Sequence, residues 1–180
     1  MISRRMRGVR ALATGLAVLA GISPAFAQQT TSNRVAAFTN WNVYEEQSPR
    51  ECLALSVPQD WSAVNASGAA TQVSRGSIFL FVFYRPGDSV SGQVAFTGGY
   101  PFREGSTVTL TVDGTAYNMF TEGEWAWLSS SEEDARVVAA MRRGSRAVVE
   151  GVSGRGNRTT DNFSLSGVTA AIDDAQRRCG

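Results

Sequence analysis

Thr107 to Phe120 limits what this chain can become more than any other stretch. Val108, Leu110 and Val112 alternate with Thr107, Thr109 and Thr111, and Asp113-Gly114 follows directly. A period of two marks a half-buried strand, and Asp-Gly between two such runs favours a tight hairpin turn with left-handed backbone. A two-residue loop fixes the register, so 112 opposes 115, 110 opposes 117 and 108 opposes 119. Tyr117 and Met119 then share the inward face with Leu110 and Val108, while Asn118 and Phe120 point the other way.

The flanking segments have the same character. Phe38 to Tyr44 predicts one strand with Trp41 and Val43 on one face, and Cys52 to Val57 a second. Ile78 to Tyr84 is apolar throughout and predicts a central strand buried on both sides, with Arg75 and Arg85-Pro86 as gatekeepers against aggregation. After the Pro86-Gly87-Asp88 turn, Val90, Val94 and Phe96 alternate with Ser91, Gln93 and Thr97 as one more strand. Residues 58 to 76, small and polar apart from Trp61 and a few aliphatics, are expected to form a surface loop that tolerates insertion.

Two helices are expected, over about 131–143 and 167–178. Ser130 and Glu133 fit a capping box, acids 132 to 134 sit at the positive helix start, Arg142 and Arg143 at its negative end, and Gly144 supplies a left-handed stop. Arg146 to Val152 and Arg158 to Ser166 return to strand around a Ser153-to-Asn157 turn. Ser166 opens the last helix, whose Val168, Ala171, Ile172, Ala175 and Cys179 fall on one stripe. Six or more short strands with hairpin links predict a mainly β fold, an antiparallel β-sandwich or curled barrel with two short helices.

Arg4, Arg5, Arg7 and Arg10, the apolar run Ala11 to Ile22, and Ala25-Phe26-Ala27 follow the order of a secretory signal peptide. The apolar run is too short for the roughly 20 residues that span a bilayer. Cleavage between Ala27 and Gln28 is expected, leaving residues 28–180 as a single domain with no integral membrane segment, outside the cytoplasm. All 17 basic residues are arginine, and removing the leader's four leaves 13 against 16 acids, a net charge of −3. Nucleic-acid binders carry a basic excess, so that class is disfavoured. The chain has no histidine, which excludes Ser-His-Asp and Cys-His catalysis and His-containing zinc and copper sites. Cys52 and Cys179, an even pair in an oxidising compartment, are expected to form a disulfide, with two separate buried thiols as the alternative. No metal and no cofactor is expected, and no loop carries the spaced acids of a dedicated Ca²⁺ site.

Four ordered blocks carry a family resemblance: Gly99 to Val108 (Gly-Tyr-Pro-Phe-Arg-Glu-Gly-Ser-Thr-Val), Phe120 to Trp127, Ala140 to Ser145, and Ser153 to Gly156 followed by Thr160 to Gly167. With a cysteine close to the C-terminus, they resemble the invasion-associated locus B family of exported proteins from Gram-negative bacteria, over about Trp41 to Cys179. The resemblance implies a periplasmic, outer-membrane-associated or secreted protein and brings no catalytic residues. The Cys52 and Cys179 positions match a cysteine pair of the longer-spaced branch of that family; an additional early cysteine of some members is missing from Trp41-Asn42-Val43-Tyr44.

Few residues suggest a site. Gly151-Val-Ser-Gly154-Arg-Gly156 echoes a phosphate loop, but a strand rather than a helix follows, so a hairpin turn is expected. Glu122-Gly-Glu124 offers two acids with nothing to set them at a glycosidase separation. Trp125 and Trp127, spaced by two, put both rings on one strand face, either as core or as an exposed shelf for a partner or glycan. Tyr100 and Phe102 share that spacing and that choice, and these four form the candidate binding surface. Arg142, Arg143 and Arg146 suggest a patch for anionic lipid or polysaccharide, although helix termination accounts for the first two. The expected function is non-catalytic binding of a protein or envelope component. The alternatives are a carboxylate-dependent hydrolase of cell-wall or surface sugars and a purely structural envelope protein.

Overall fold

The computed structural model describes residues 33–180. The leader and the Ala27–Gln28 cleavage point fall outside the described residues. Eleven strands, β1 (Arg34–Phe38), β2 (Trp41–Gln47), β3 (Arg50–Ser56), β4 (Asp60–Val64), β5 (Phe79–Arg85), β6 (Val90–Thr97), β7 (Thr107–Val112), β8 (Thr115–Glu122), β9 (Trp125–Trp127), β10 (Arg146–Val152) and β11 (Arg158–Ser164), form one antiparallel sheet. Its order is β1-β2-β3-β5-β6-β9-β8-β7-β10-β11-β4. Two helices, α1 (Ser131–Arg143) and α2 (Val168–Cys179), complete the fold.

The sheet is curled and not closed by a ladder. The indole N–H of Trp41 on β2 donates to the carbonyl of Ser164 on β11 at 3.0 Å, and Asn40 N–H donates to Ser166 O, so the two ends of the sheet meet. One continuous core lines the inner face, running from Trp41 and Val43 through Leu80, Phe96 and Leu110 to Phe163. Both helices sit on that side: Val137 and Met141 of α1 and Val168, Ala171, Ile172 and Ala175 of α2 belong to the same core. The Cys52–Cys179 disulfide ties the end of α2 to β3, with Cα atoms 5.7 Å apart.

The hairpin of β7 and β8 has the expected register, Val112 to Thr115, Leu110 to Tyr117 and Val108 to Met119, with Asp113 and Gly114 at φ +42° and +91°. Its tip is pinned to the start of β10, because the Asp113 carboxylate accepts from the backbone N–H groups of Ser145 and Arg146 and from the Ser145 hydroxyl. Those donors hold the Asp113 carboxyl below its usual range. On α1, the Ser130 hydroxyl accepts from Glu133 N–H, and the Glu133 carboxylate accepts from the backbone and hydroxyl of Ser129.

Five local expectations are corrected. Thr39 at φ +53° and Asn40 break the expected strand over 38–44 into the β1–β2 hairpin. Gly92 at φ +80° lies where the β5–β6 register shifts between Phe83 and Tyr84, so Val90 packs on the outer face while Val94 and Phe96 stay inside. Residues 58–76 are not all loop: β4 lies within them as the edge strand beside β11. Gly144 ends α1 in an extended conformation at φ −85°, and what excludes a side chain there is space, since a Cβ would lie 2.9 Å from Leu165 and Val112. Arg75 is a buried clamp and not a gatekeeper. It donates through Nη1 and Nη2 to Asp161 at 2.7 and 2.8 Å and through Nε to Gly98 O, between the rings of Trp61 and Tyr100.

Candidate binding surface

No helix covers the outer face of the central strands. Phe79, Phe81 and Phe83 of β5 project there, opposite Leu55 and Leu53 of β3. The narrow Ala95 of β6 follows, then Trp125 and Trp127 of β9, and Phe120 of β8 opposes Trp127. Strand pairing therefore gathers aromatic side chains that are scattered along the sequence. The expected solvent-free environment of β5 is met on its outer side by these rings and not by a second layer.

The rings pack against one another. Trp125 and Trp127 stack with centroids 5.5 Å apart at 22°, and Phe81 and Phe83 stack at 5.0 Å and 19°. Trp125 lies 5.4 Å from Phe81 across β6. Phe81 and Phe83 are consequently buried, but the cover gives out at the margin, where Trp125 is 36% and Phe120 51% exposed. Tyr100 and Phe102 lie elsewhere. They are 9% and 7% exposed and pack on the inner side as a T-shaped pair with centroids 5.1 Å apart, so they supply no aromatic shelf. Of the four sequence-derived residues, the fold brings Trp125 and Trp127 together on an open face and sends Tyr100 and Phe102 into the core. Phe120 points outward as its register predicted but was not joined to the site, and Phe79, Phe81 and Phe83 were missed as components of this face. Their period-two spacing was visible, but which side of β5 faces outward depends on the helices.

Charge is distributed unevenly around this face. At the β3–β5 side, Arg85 pairs with Glu51 and lies over the Phe83 ring at 4.3 Å. At the β8–β9 side, Glu122 opposes Trp125 directly and is exposed. The expected arginine patch is mostly engaged internally: Arg142 pairs with Asp173 at 2.6 Å, and Arg146 donates to the Asn162 side chain.

A separate cleft of about 520 Å³ opens beside residues 72–75, lined among others by Ser74, Tyr100, Glu124, Ser153, Arg155 and Asn157. Glu124 is the only carboxylate among its lining residues. The Ser153-to-Asn157 segment at its wall is a turn with Gly156 at φ +86°, leading into β11 and not into a helix. Among the described residues no group of His, Cys, Asp and Glu is arranged to hold a metal ion.

The family model described as Invasion associated locus B (IalB) protein matches residues 69–176, which contain all four sequence blocks named above. The structure is similar to the crystal structure of invasion associated protein b from Bartonella henselae, with a TM-score of 0.51 and 13% sequence identity, over 78% of this chain and 94% of that one. At that identity the likeness concerns the fold. No curated protein sequence matches the chain. Among the described residues no helix is long and apolar enough to cross a membrane. Family membership together with the disulfide is consistent with an exported protein.

Proposed function

We propose, on the premise that the chain belongs to the invasion associated locus B family, that it is an exported, non-catalytic envelope protein that docks a partner protein through the outer aromatic face of β5, β6 and β9. The observation that carries this reading is the exposure of Trp125 and Phe120 at the margin of a continuous aromatic cluster on a face without helices. Large aromatic residues dominate the binding energy of protein interfaces, and a purely structural envelope protein has no need to leave them in water. The hydrolase alternative needs two carboxyls converging on one cleft, whereas Glu124 stands alone in the cleft beside residues 72–75. Export follows from the N-terminal leader, and the protein from a periplasmic fraction is expected to begin at Gln28.

Chemical crosslinking of intact cells, followed by purification of the tagged protein, tests the docking reading. The wild-type chain is expected to carry a discrete crosslinked partner that the doubly substituted Trp125→Ala/Trp127→Ala chain loses at equal abundance. An unchanged crosslink pattern would contradict it.

A further inference from the structure

The two sides of the outer face differ by one charge. On the β3–β5 side the fold supplies an acid, a ring and a cation together: Glu51 and Arg85 are ion-paired, and the Arg85 guanidinium lies 4.3 Å from the centroid of Phe83. On the β8–β9 side the acid and the ring recur without the cation. Glu122 and Trp125 are directly opposed in the ladder, which places their side chains on one face within reach of a common ligand. Strands β6, β7, β8 and β9 contain no arginine, and the chain has no lysine. Among the described residues no cation lies within ion-pairing distance of Glu122.

We infer that the Trp125–Glu122 corner is a seat for an arginine side chain of the partner protein, flanked by apolar side chains that rest on Trp127 and Phe120. The guanidinium would lie over the indole and meet the carboxylate, the arrangement that Arg85 already makes within the chain. A planar guanidinium suits this better than an ammonium, because it stacks and donates in the same plane. A second copy of this chain, brought face to face, offers this corner Arg85 from its β3–β5 side, but that guanidinium is already paired with Glu51 and stacked on Phe83. An anionic lipid surface is repelled by Glu122. The inference rests on the docking reading above and adds the chemistry of the partner.

The probe is a short fluorescent peptide alternating arginine with leucine, compared with the same peptide carrying neutral citrulline for arginine, both titrated by anisotropy into the mature protein. The arginine peptide is expected to bind about tenfold more tightly than the citrulline peptide, and to weaken as salt is raised. Glu122→Gln is expected to abolish that preference while leaving citrulline binding unchanged. Trp125→Ala is expected to weaken both peptides. Equal binding of the two peptides, an arginine preference that survives in Glu122→Gln, or no saturable binding of the arginine peptide would each overturn the inference. If Trp125→Ala/Trp127→Ala still removes the crosslinked partner in cells, the docking reading stands without it; if the partner is retained as well, both fall.

Discussion

Asp134 on α1 accepts a hydrogen bond from the backbone N–H of Val94 on β6 at 2.8 Å. β9 pairs with β6 only at Ala95, Phe96 and Thr97, so the ladder has no strand partner for Val94 on that side. The first turn of α1 fills the gap with a side chain in place of a strand. The cost is a buried carboxyl, 7% exposed, which desolvation pushes up to about 6 against the single backbone donor that favours its ionised form.

That placement makes stability depend on pH in a definite direction. The folded-state value lies above the unfolded 3.8, so between about pH 4 and 6 the native state keeps a proton that the unfolded chain has released. Stability from this group is present below that window and is lost as pH rises through it, by at most about 3 kcal/mol. Asp134→Asn keeps an acceptor for Val94 without the charge. We expect it to equal or exceed the wild type in urea midpoint at pH 7 and to flatten the pH 4–6 slope, measured as the difference between the two proteins.

Removing the Cys52–Cys179 bond tests the closing of the fold. The bond spans 127 residues and joins the core-facing stripe of α2 to β3. Cys179→Ser is expected to cost about 2–5 kcal/mol. Thermal melting and limited proteolysis check this, with the first cuts expected in α2.

Arg75 and Asp161 are both buried, with side chains 2% and 0% exposed. Burial pushes the Asp161 carboxyl up, and the Arg75 guanidinium draws it back. Arg75→Met leaves a buried acid without its bidentate partner and is expected to cost about 3–5 kcal/mol. Adding Asp161→Leu to it should recover much of the loss, because an apolar pair carries no uncompensated charge. Urea denaturation of the single and double variants checks both.

Glycines separate backbone strain from overlap. Gly105 at φ +67° has open space around it, so Gly105→Ala is expected to cost only about 1 kcal/mol of left-handed strain. Gly167 at φ +93° precedes α2, and a Cβ there would lie 1.9 Å from the Phe38 carbonyl oxygen. Gly167→Ala is expected to cost several times more, read as a larger drop in melting temperature than Gly105→Ala.

The contrast between local and distant information explains what the sequence revealed. The β7–β8 register followed from Asp113-Gly114 alone, because a two-residue turn leaves one pairing. The bounds of α1 and the buried stripe of α2 followed from caps and period in the same way. The Thr39 turn and the Gly92 bulge were hidden, since Thr is a poor marker of positive φ and a bulge shifts the period it would be read from. The Trp125–Trp127 spacing showed that both rings share a face. Which face, and that Phe81 and Phe83 join them there, was set by β5–β6–β9 pairing and by helices on the opposite side.

Site-specific photo-crosslinking reads in intact cells whether the outer aromatic face docks a partner. A photoreactive phenylalanine analogue is placed singly at Trp125, at Phe120, and at the control position Trp61, whose ring lies over Arg75 off the outer aromatic face. The same partner adduct is expected from positions 125 and 120 in intact cells and none from 61. Adducts from 61 alone, or from none of the three, would contradict it.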